Sequence, residues 1–270
     1  MDKIIDISLL QLISAYIFVI ILLFIVKIKG ISREKEILIA NIRMTLQLSL
    51  IGYILVYIFE NPSPFLTLLI IVIMETFAIF NIFKRVKREI PVNLKKMIAF
   101  AMIIGTFTSI LYFLFVVVKI QPWYKPQYFI PLSGMLIGNS MTGISLGVDR
   151  LIDGFHSRKD EIETALMLGA TSKKASKHIV NNAFDSAIMP TINSMMGIGI
   201  VFLPGMMTGQ ILSGISPITS IKYQIAIMLG IMGSVSLTVI IFLQLSYKTF
   251  FNFREQLKLW WDRGTVPVSH

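Results

Sequence analysis

Ionisable side chains stand at two positions inside long apolar runs, where a bilayer makes charge unfavourable. Arg43 and Glu75 lie in successive runs, at depths that differ by roughly 3 Å when counted at 1.5 Å per helical residue. Three interpretations follow from these residue types. The two side chains form a structural ion pair, or Glu75 faces a substrate or proton path, or Arg43 extends its guanidinium back to the nearer membrane surface.

Other side chains in the later apolar runs have chemistry that suits a transport path. Asn139 carries an amide at membrane depth, and such a group needs a hydrogen-bond partner or a polar cavity. Thioether sulfur binds soft metal ions, although methionine also fills gaps between apolar helices. Six methionines cluster in two of the runs: Met135, Met141, Met195, Met196, Met206 and Met207. By depth and polarity we predict a path lined by Glu75, Asn139, Met141, Met206 and Gln210. The identity of any bound metal stays unknown.

A helix interruption is predicted within LPGMMTGQ, residues 203–210. Proline removes a backbone donor, and glycine weakens a helix. Irregular backbone inside a bilayer is tolerated only where protein or a water-filled cavity covers it. Pro204 and Gly205 are therefore predicted to form a gate or a ligand-facing turn.

The elements that position these groups follow from the composition. The chain has 270 residues, 55% hydrophobic and 15% charged, with a mean hydropathy of +0.75. Apolar runs of about 20 residues can cross the hydrocarbon core as helices. We predict an all-α polytopic membrane protein, a single permease domain over residues 1–270. Its seven predicted transmembrane helices are 7–26, 37–59, 65–83, 97–118, 128–148, about 187–203, and 221–246.

The net charge of +10 has an uneven distribution. Of the 25 Lys and Arg residues, 20 fall in alternate connections between the predicted spans. This positive-inside pattern predicts an amino terminus outside and a carboxy terminus in the cytoplasm. It also accounts for the basic charge without nucleic acid as a partner. We further predict that residues 247–264 form a helix along the inner interface, because aromatic and basic residues alternate there.

The longest connection, residues 149–186, is predicted to be a cytoplasmic coupling region between spans five and six. Its first helix covers about 158–168, starts with Ser157 as a cap and stops at Gly169. A second, amphipathic helix follows. Because the first helix exposes charges of both signs, we predict that it contacts protein rather than anionic lipid alone. The predicted coupling residues are Asp160, Glu161, Glu163, Ala165, Leu168, Gly169, Ala170 and Thr171.

Several catalytic motifs are absent from the sequence. There is no GxxxxGK[ST] phosphate loop, no HExxH and no cysteine. The chain is therefore predicted not to be an enzyme and to bind no nucleotide itself.

Five segments resemble one family of permeases. They are LQLSLIGYILVYIF in span two, PLSGMLIGNSMTG in span five, LGATSKKAS in the coupling region, LPGMMTGQILSG in span six, and IKYQI at the start of span seven. The sequence resembles the FetB family of ABC-transporter permeases, the membrane half of a bacterial iron exporter. The resemblance implies a bacterial cytoplasmic membrane, iron export and a separate FetA-like ATPase that binds ATP and Mg. One coupling segment per chain predicts a homodimer.

The coupling region also resembles the EAA loop of ABC importers. Glu163, Ala165 and Gly169 match the Glu, the second Ala and the Gly of that motif. Thr164 replaces the first Ala, and the Pro expected about 13 residues after the Gly is absent. The resemblance implies a docking helix but not the importer direction.

Other functions remain open from the sequence. An ATPase-independent secondary carrier or channel would explain the spans and Glu75 but gives the coupling region no task. An ABC permease for another metal or a small organic solute, or an importer, would fit the same residues. A structural or regulatory membrane protein would not explain polar groups in mid-membrane.

Overall fold

The computed structural model describes residues 7–86 and 90–258. Helices account for most of this part of the chain, as the apolar runs predict. Its α-helices are α1 (Leu9–Ala15), α2 (Ile17–Ile28), α3 (Glu34–Glu60), α4 (Pro64–Arg85), α5 (Val92–Tyr112), α6 (Pro126–Ser157), α7 (Lys159–Met167), α8 (Ser172–Gly197), α9 (Gly205–Leu212) and α10 (Pro217–Ser246). A π-helical turn, Phe113–Val118, extends α5, and a 3-10 turn, Tyr247–Phe250, follows α10.

Within the described residues, six helical segments are long and apolar enough to cross a membrane. They are Leu9–Ile28, Glu34–Glu60, Pro64–Arg85, Val92–Val118, Pro126–Ser157 and Pro217–Phe250. Each coincides with a predicted span, which confirms a polytopic helical membrane protein. The other predicted span, 187–203, falls on the end of α8 and a non-helical stretch after it. The count of seven and the orientation stay predictions.

The core of the bundle consists of α4, α5, α6, α8 and α10. Helix α6 packs against the other four, and α5 and α8 both also pack against α10. Helices α1 to α3 lie at the edge, and most of their large apolar side chains are exposed. The hydroxyl groups of Tyr16 and Thr45 form a hydrogen bond that joins this hairpin. The exposed apolar surface suits lipid or another membrane chain.

Glycines allow α6 to approach α8 and α10 closely. A Cβ on Gly143 would lie 2.8 Å from Val235 Cγ1 and 3.3 Å from the Ala187 carbonyl oxygen. A Cβ on Gly147 would lie 3.6 Å from Ala187 Cβ. Small residues on facing helices let the backbones meet in lipid, where packing drives association. Gly138, on the same helix, faces open space.

The segment after α10 differs from the interfacial helix predicted for residues 247–264. Through Lys258 it forms the 3-10 turn and then a tight turn, 252–256. The Asn252 carboxamide oxygen accepts the Arg254 and Gln256 amides at 2.8 and 2.9 Å. Phe250 and Phe251 pack on α6 instead of lying in the interface, because both rings contact Phe155. Residues 259–264 lie outside the described residues.

We predict that Gly105→Ala destabilises the bundle. Its Cβ would lie 2.7 Å from Thr238 Cα, and backbone cannot move aside as a flexible side chain can. Overpacking of this kind costs about 1–3 kcal/mol. The measurement is thermal unfolding in detergent, together with the monodisperse fraction on size exclusion. Gly233→Ala is the matched control, because no atom lies within 4 Å of its Cβ position. Equal melting temperatures for the two variants would contradict the close α5–α10 contact.

Candidate functional site

Helix α7 lies between α6 and α8, where the coupling helix is predicted. Its bounds, Lys159–Met167, agree with the predicted 158–168. Ile162 is buried and anchors one face of α7. The predicted start is wrong in one respect: Ser157 is the last residue of α6, and Arg158 occupies the cap position without a side-chain cap bond.

The end of α7 has the hydrogen bonds that a left-handed glycine allows. Gly169 has φ +83°. Its amide donates to the Leu166 carbonyl at 2.9 Å, and the Ala170 amide donates to the Ala165 carbonyl at 3.0 Å. These two bonds form a Schellman motif, which closes the helix. The Thr171 hydroxyl then accepts the Lys174 amide at 3.4 Å and caps α8.

The surface of α7 combines acidic and apolar side chains. Asp160 and Glu161 are exposed, and Glu161 lies 3.6 Å from the Arg158 guanidinium. At the end of the helix Met167 and Leu168 are 85% and 83% exposed. The neighbouring Leu166 instead packs partly against the core. An exposed apolar tip next to charges of both signs is a typical surface for docking a protein.

A carboxylate from the chain's last described turn holds the start of α8. The Ser172 amide donates to Glu255 Oε2 at 2.9 Å. A carboxylate at a helix N-terminus is favourable because the amides there carry a partial positive charge. Glu255 itself has φ +57°, a left-handed conformation that a non-glycine residue rarely adopts. The turn therefore ties the end of α10 to the junction between α7 and α8.

Helix α8 connects α7 to the interruption that the sequence predicts. Its 26 residues span about 39 Å. Ile179, Ala183 and Ala187 are buried along one face, and the lysines of its first turns are exposed. The helix ends at Gly197, and residues 198–204 are not helical. One helix thus joins the exposed coupling region to the opposite end of the bundle.

The interruption begins before the predicted Pro204 and Gly205. Gly199 has φ +85°, and its amide donates to the Phe202 carbonyl at 3.0 Å. Pro204 then precedes α9 as its cap residue, and Gly205 is the first residue of that helix. The break is thus a short loop and a separate short helix. A gate at Pro204 and Gly205 stays a prediction.

The structure does not join Arg43 and Glu75 as an ion pair. The Thr106 hydroxyl donates to Glu75 Oε2 at 3.0 Å. The Arg43 guanidinium carbon lies 5.1 Å from the centroid of the Phe77 ring, a cation–π contact. Glu75 Oε1 is buried and has no hydrogen-bond partner within the described segments. The ion-pair alternative is therefore unsupported in this conformation, and the path role stays a prediction.

The other predicted path residues are spread over α6 and α9. Asn139 is exposed, and its amide donates to the carbonyl of Met135 one turn earlier at 2.8 Å. Met141 and Met206 are partly buried against the core. Gln210 Oε1 is buried and lacks a partner in the described part of the chain. None of these residues, nor Glu75, lines the cavity next to the helix break, and their role in a path stays a prediction.

A cavity of about 450 Å³ lies beside the break instead. Its lining includes Met195, Met207, Met228 and Gln224, from three different helices. None of these four was predicted as a path residue. Met195 and Met207 belong to the methionine cluster seen in the sequence, and that cluster is the sequence feature that could have identified them as cavity residues. Nothing in the sequence shows that α10 supplies the other two.

We predict that two double-mutant cycles will separate the contacts of Glu75. Arg43→Gln and Glu75→Gln should be additive within about 0.5 kcal/mol, because no ion pair or hydrogen bond joins the two side chains. Glu75→Gln and Thr106→Val should be coupled, since Thr106 donates to the carboxylate. Thermal unfolding in detergent measures both cycles. Strong coupling between Arg43 and Glu75 would mean that the ion pair forms after all.

Comparison with known proteins places these features in a wider set of membrane proteins. The model of "Uncharacterised protein family (UPF0014)" matches residues 9–251. The UPF0014 membrane protein YjkA of Bacillus subtilis is 38% identical over 92% of this chain and 98% of its own length. The probable iron export permease protein FetB of Escherichia coli is 34% identical over 90% of this chain and 92% of its own. Protein ALUMINUM SENSITIVE 3 of Arabidopsis thaliana is 32% identical over 91% of this chain and 88% of its own length. No solved structure matches the chain.

Proposed function

Since the chain belongs to the UPF0014 family of membrane proteins, we propose that it is the permease subunit of an ABC transporter that exports iron. A separate cytosolic ATPase, FetA-like, drives it and holds ATP and Mg. The observation that carries the proposal is the connection of α7, with its exposed apolar tip, through α8 to the helix break. The name of the Escherichia coli relative supports iron as the cargo.

The proposed mechanism uses α7 as a lever. The Met167 and Leu168 side chains enter a groove on the ATPase, and each contributes about 1.5–3 kcal/mol when fully buried. Closure of two ATPase chains on ATP moves α7. The Schellman motif, the Thr171 cap and the Glu255 contact keep α7 and the start of α8 in a fixed relative position. The lever therefore moves with α8.

Movement of α8 reaches the break because the helix is continuous between them. Its buried face packs on the glycine-containing face of α6. A shift of α8 therefore changes all of these contacts with α6 together. A path between two copies of the chain then changes from inward-open to outward-open. The proposed assembly is a homodimer with two ATPase chains, in a bacterial cytoplasmic membrane with the carboxy terminus inside.

Two alternatives differ from this proposal in a measurable way. An ATPase-independent carrier or channel needs no lever, yet α7 exposes apolar side chains at its tip. Another cargo within the same mechanism is the second alternative, and the Arabidopsis relative is named for aluminium sensitivity. Substrate tests across several metals separate these cargoes.

The first experiment reconstitutes the chain in liposomes with and without the ATPase encoded beside or co-purified with it. We expect ATP-dependent iron movement only when both proteins are present. The direction follows from the side on which iron accumulates in inverted vesicles. Iron movement without the ATPase at the same rate would contradict the ABC mechanism, and movement into the cytoplasmic side would contradict export.

We predict that Met167→Ser combined with Leu168→Ser weakens association with the ATPase roughly tenfold or more, because two apolar side chains no longer enter the groove. Pull-down of the ATPase from membranes in mild detergent measures the effect. Ile31→Ser is the matched control: it is also an exposed apolar residue, on the same side by the charge pattern but outside the coupling region. If the control and the double variant lose ATPase binding equally, α7 is not the docking site.

A further inference from the structure

Three thioether side chains from three separate helices meet at one cavity beside the break. Met195 comes from the last turns of α8, Met207 from α9 and Met228 from α10. The cavity measures about 450 Å³, which is more than a single ion needs and leaves room for flexible side chains to converge. Met207 is 6% exposed, so it belongs to the interior of the bundle rather than to its surface.

A buried amide lines the same cavity. Gln224 is 6% exposed. No hydrogen bond of its side chain is formed within residues 7–86 and 90–258, and the amide faces the open cavity. A ligand that accepts electron density from the amide oxygen would give this side chain a partner.

The residue types point to one ligand class. Thioethers are ligands for soft metal ions, and an amide oxygen can complete the set. Within the described ranges no group of three or more His, Cys, Asp or Glu could hold a metal ion. Resting on the proposed function, we propose that this cavity binds the cargo as a low-valent transition-metal ion. Met195, Met207 and Met228 supply thioether sulfurs and Gln224 supplies an amide oxygen.

An apolar occupant explains the site less well. The rest of the lining is apolar, including Leu203 and Ile225, and would suit a lipid chain or an apolar solute. Such an occupant makes no use of the thioether sulfurs and leaves the Gln224 amide without a partner. A metal ion uses both the sulfur atoms and the amide oxygen. Methionine is also flexible, so its sulfur can follow an ion while the helices move.

The position of Met195 connects this site to the lever. Met195 lies near the end of α8, the helix that begins directly after the coupling region. Met207 and Met228 lie on helices beyond the break. Movement of α8 relative to α9 and α10 therefore separates one thioether from the other two, which changes the affinity for the ion. The nucleotide cycle would in this way alternate tight binding with release.

The test measures binding of Cu(I), a soft low-valent probe, to the full chain in nanodiscs. Cu(I) is supplied with ascorbate and competes with a coloured chelator. The variant replaces Met195, Met207 and Met228 with Leu, a change of similar volume that keeps the packing. The matched control replaces three other methionines with Leu: Met44, Met189 and Met196, all exposed.

We expect the cavity variant to lose Cu(I) affinity at least about tenfold, while the control variant binds as the wild type does. Gln224→Leu should give a smaller loss, and X-ray absorption of the wild type should show sulfur neighbours. Mg²⁺ in excess should not displace Cu(I), because thioether is a poor ligand for a hard ion. Absence of Cu(I) binding to the wild type, equal binding by the cavity variant, or displacement by Mg²⁺ would overturn the proposal.

Pull-down of the ATPase separates this proposal from the proposed function. The cavity variant should still bind the ATPase, because its substitutions lie around the break, at the opposite end of α8 from α7. If the wild type binds the ATPase but not Cu(I), only the metal site fails. If the wild type binds Cu(I) through the cavity but no ATPase, only the ABC mechanism fails.

Discussion

The structure depends on one constraint: backbone amides and carbonyls inside a bilayer must find partners within the protein. Helices satisfy it along nearly all of the described chain. The exception is the loop 198–204, where the Gly199 amide reaches the Phe202 carbonyl and the Val201 amide reaches the Gly197 carbonyl. The loop itself is largely exposed in the single chain, with Ile200 and Val201 91% and 80% exposed. The methionine-lined cavity lies beside it, between α8, α9 and α10, so the break and the candidate metal site are neighbours.

A second requirement is that α8 serve two environments. Its first turns carry exposed lysines, whereas its later residues belong to the apolar part of the bundle. The facing glycines of α6 allow Ala183 and Ala187 to pack closely. Pro190 lies inside the same helix and removes one backbone donor there. At its start, the Thr171 cap and the Glu255 carboxylate add contacts that a lone amphipathic helix would lack. The helix runs without interruption over about 39 Å and so connects the coupling region to the break.

Local chemistry was predictable where neighbours in sequence decide it. Gly169 ends α7 and Thr171 caps α8 because both effects act within one helical turn. Long-range contacts were less predictable. Arg43 and Glu75 lie at similar depths, but helix rotation directs the Arg43 side chain to Phe77 and the Glu75 side chain to Thr106. The tail was predicted as an interfacial helix because its aromatic residues suit an interface. Packing on Phe155 decided otherwise for the described part.

The sequence alone determined that this is a helical membrane protein, where six of its spans and α7 lie, and that the chain is interrupted near Pro204. Hydropathy, glycine and proline act locally, so they can be read along the chain. Only the tertiary structure decided which side chains share a cavity. Met195, Met207, Gln224 and Met228 meet because α8, α9 and α10 pack around the break. The facing directions of three helices depend on contacts between residues far apart in the chain, which hydropathy does not encode.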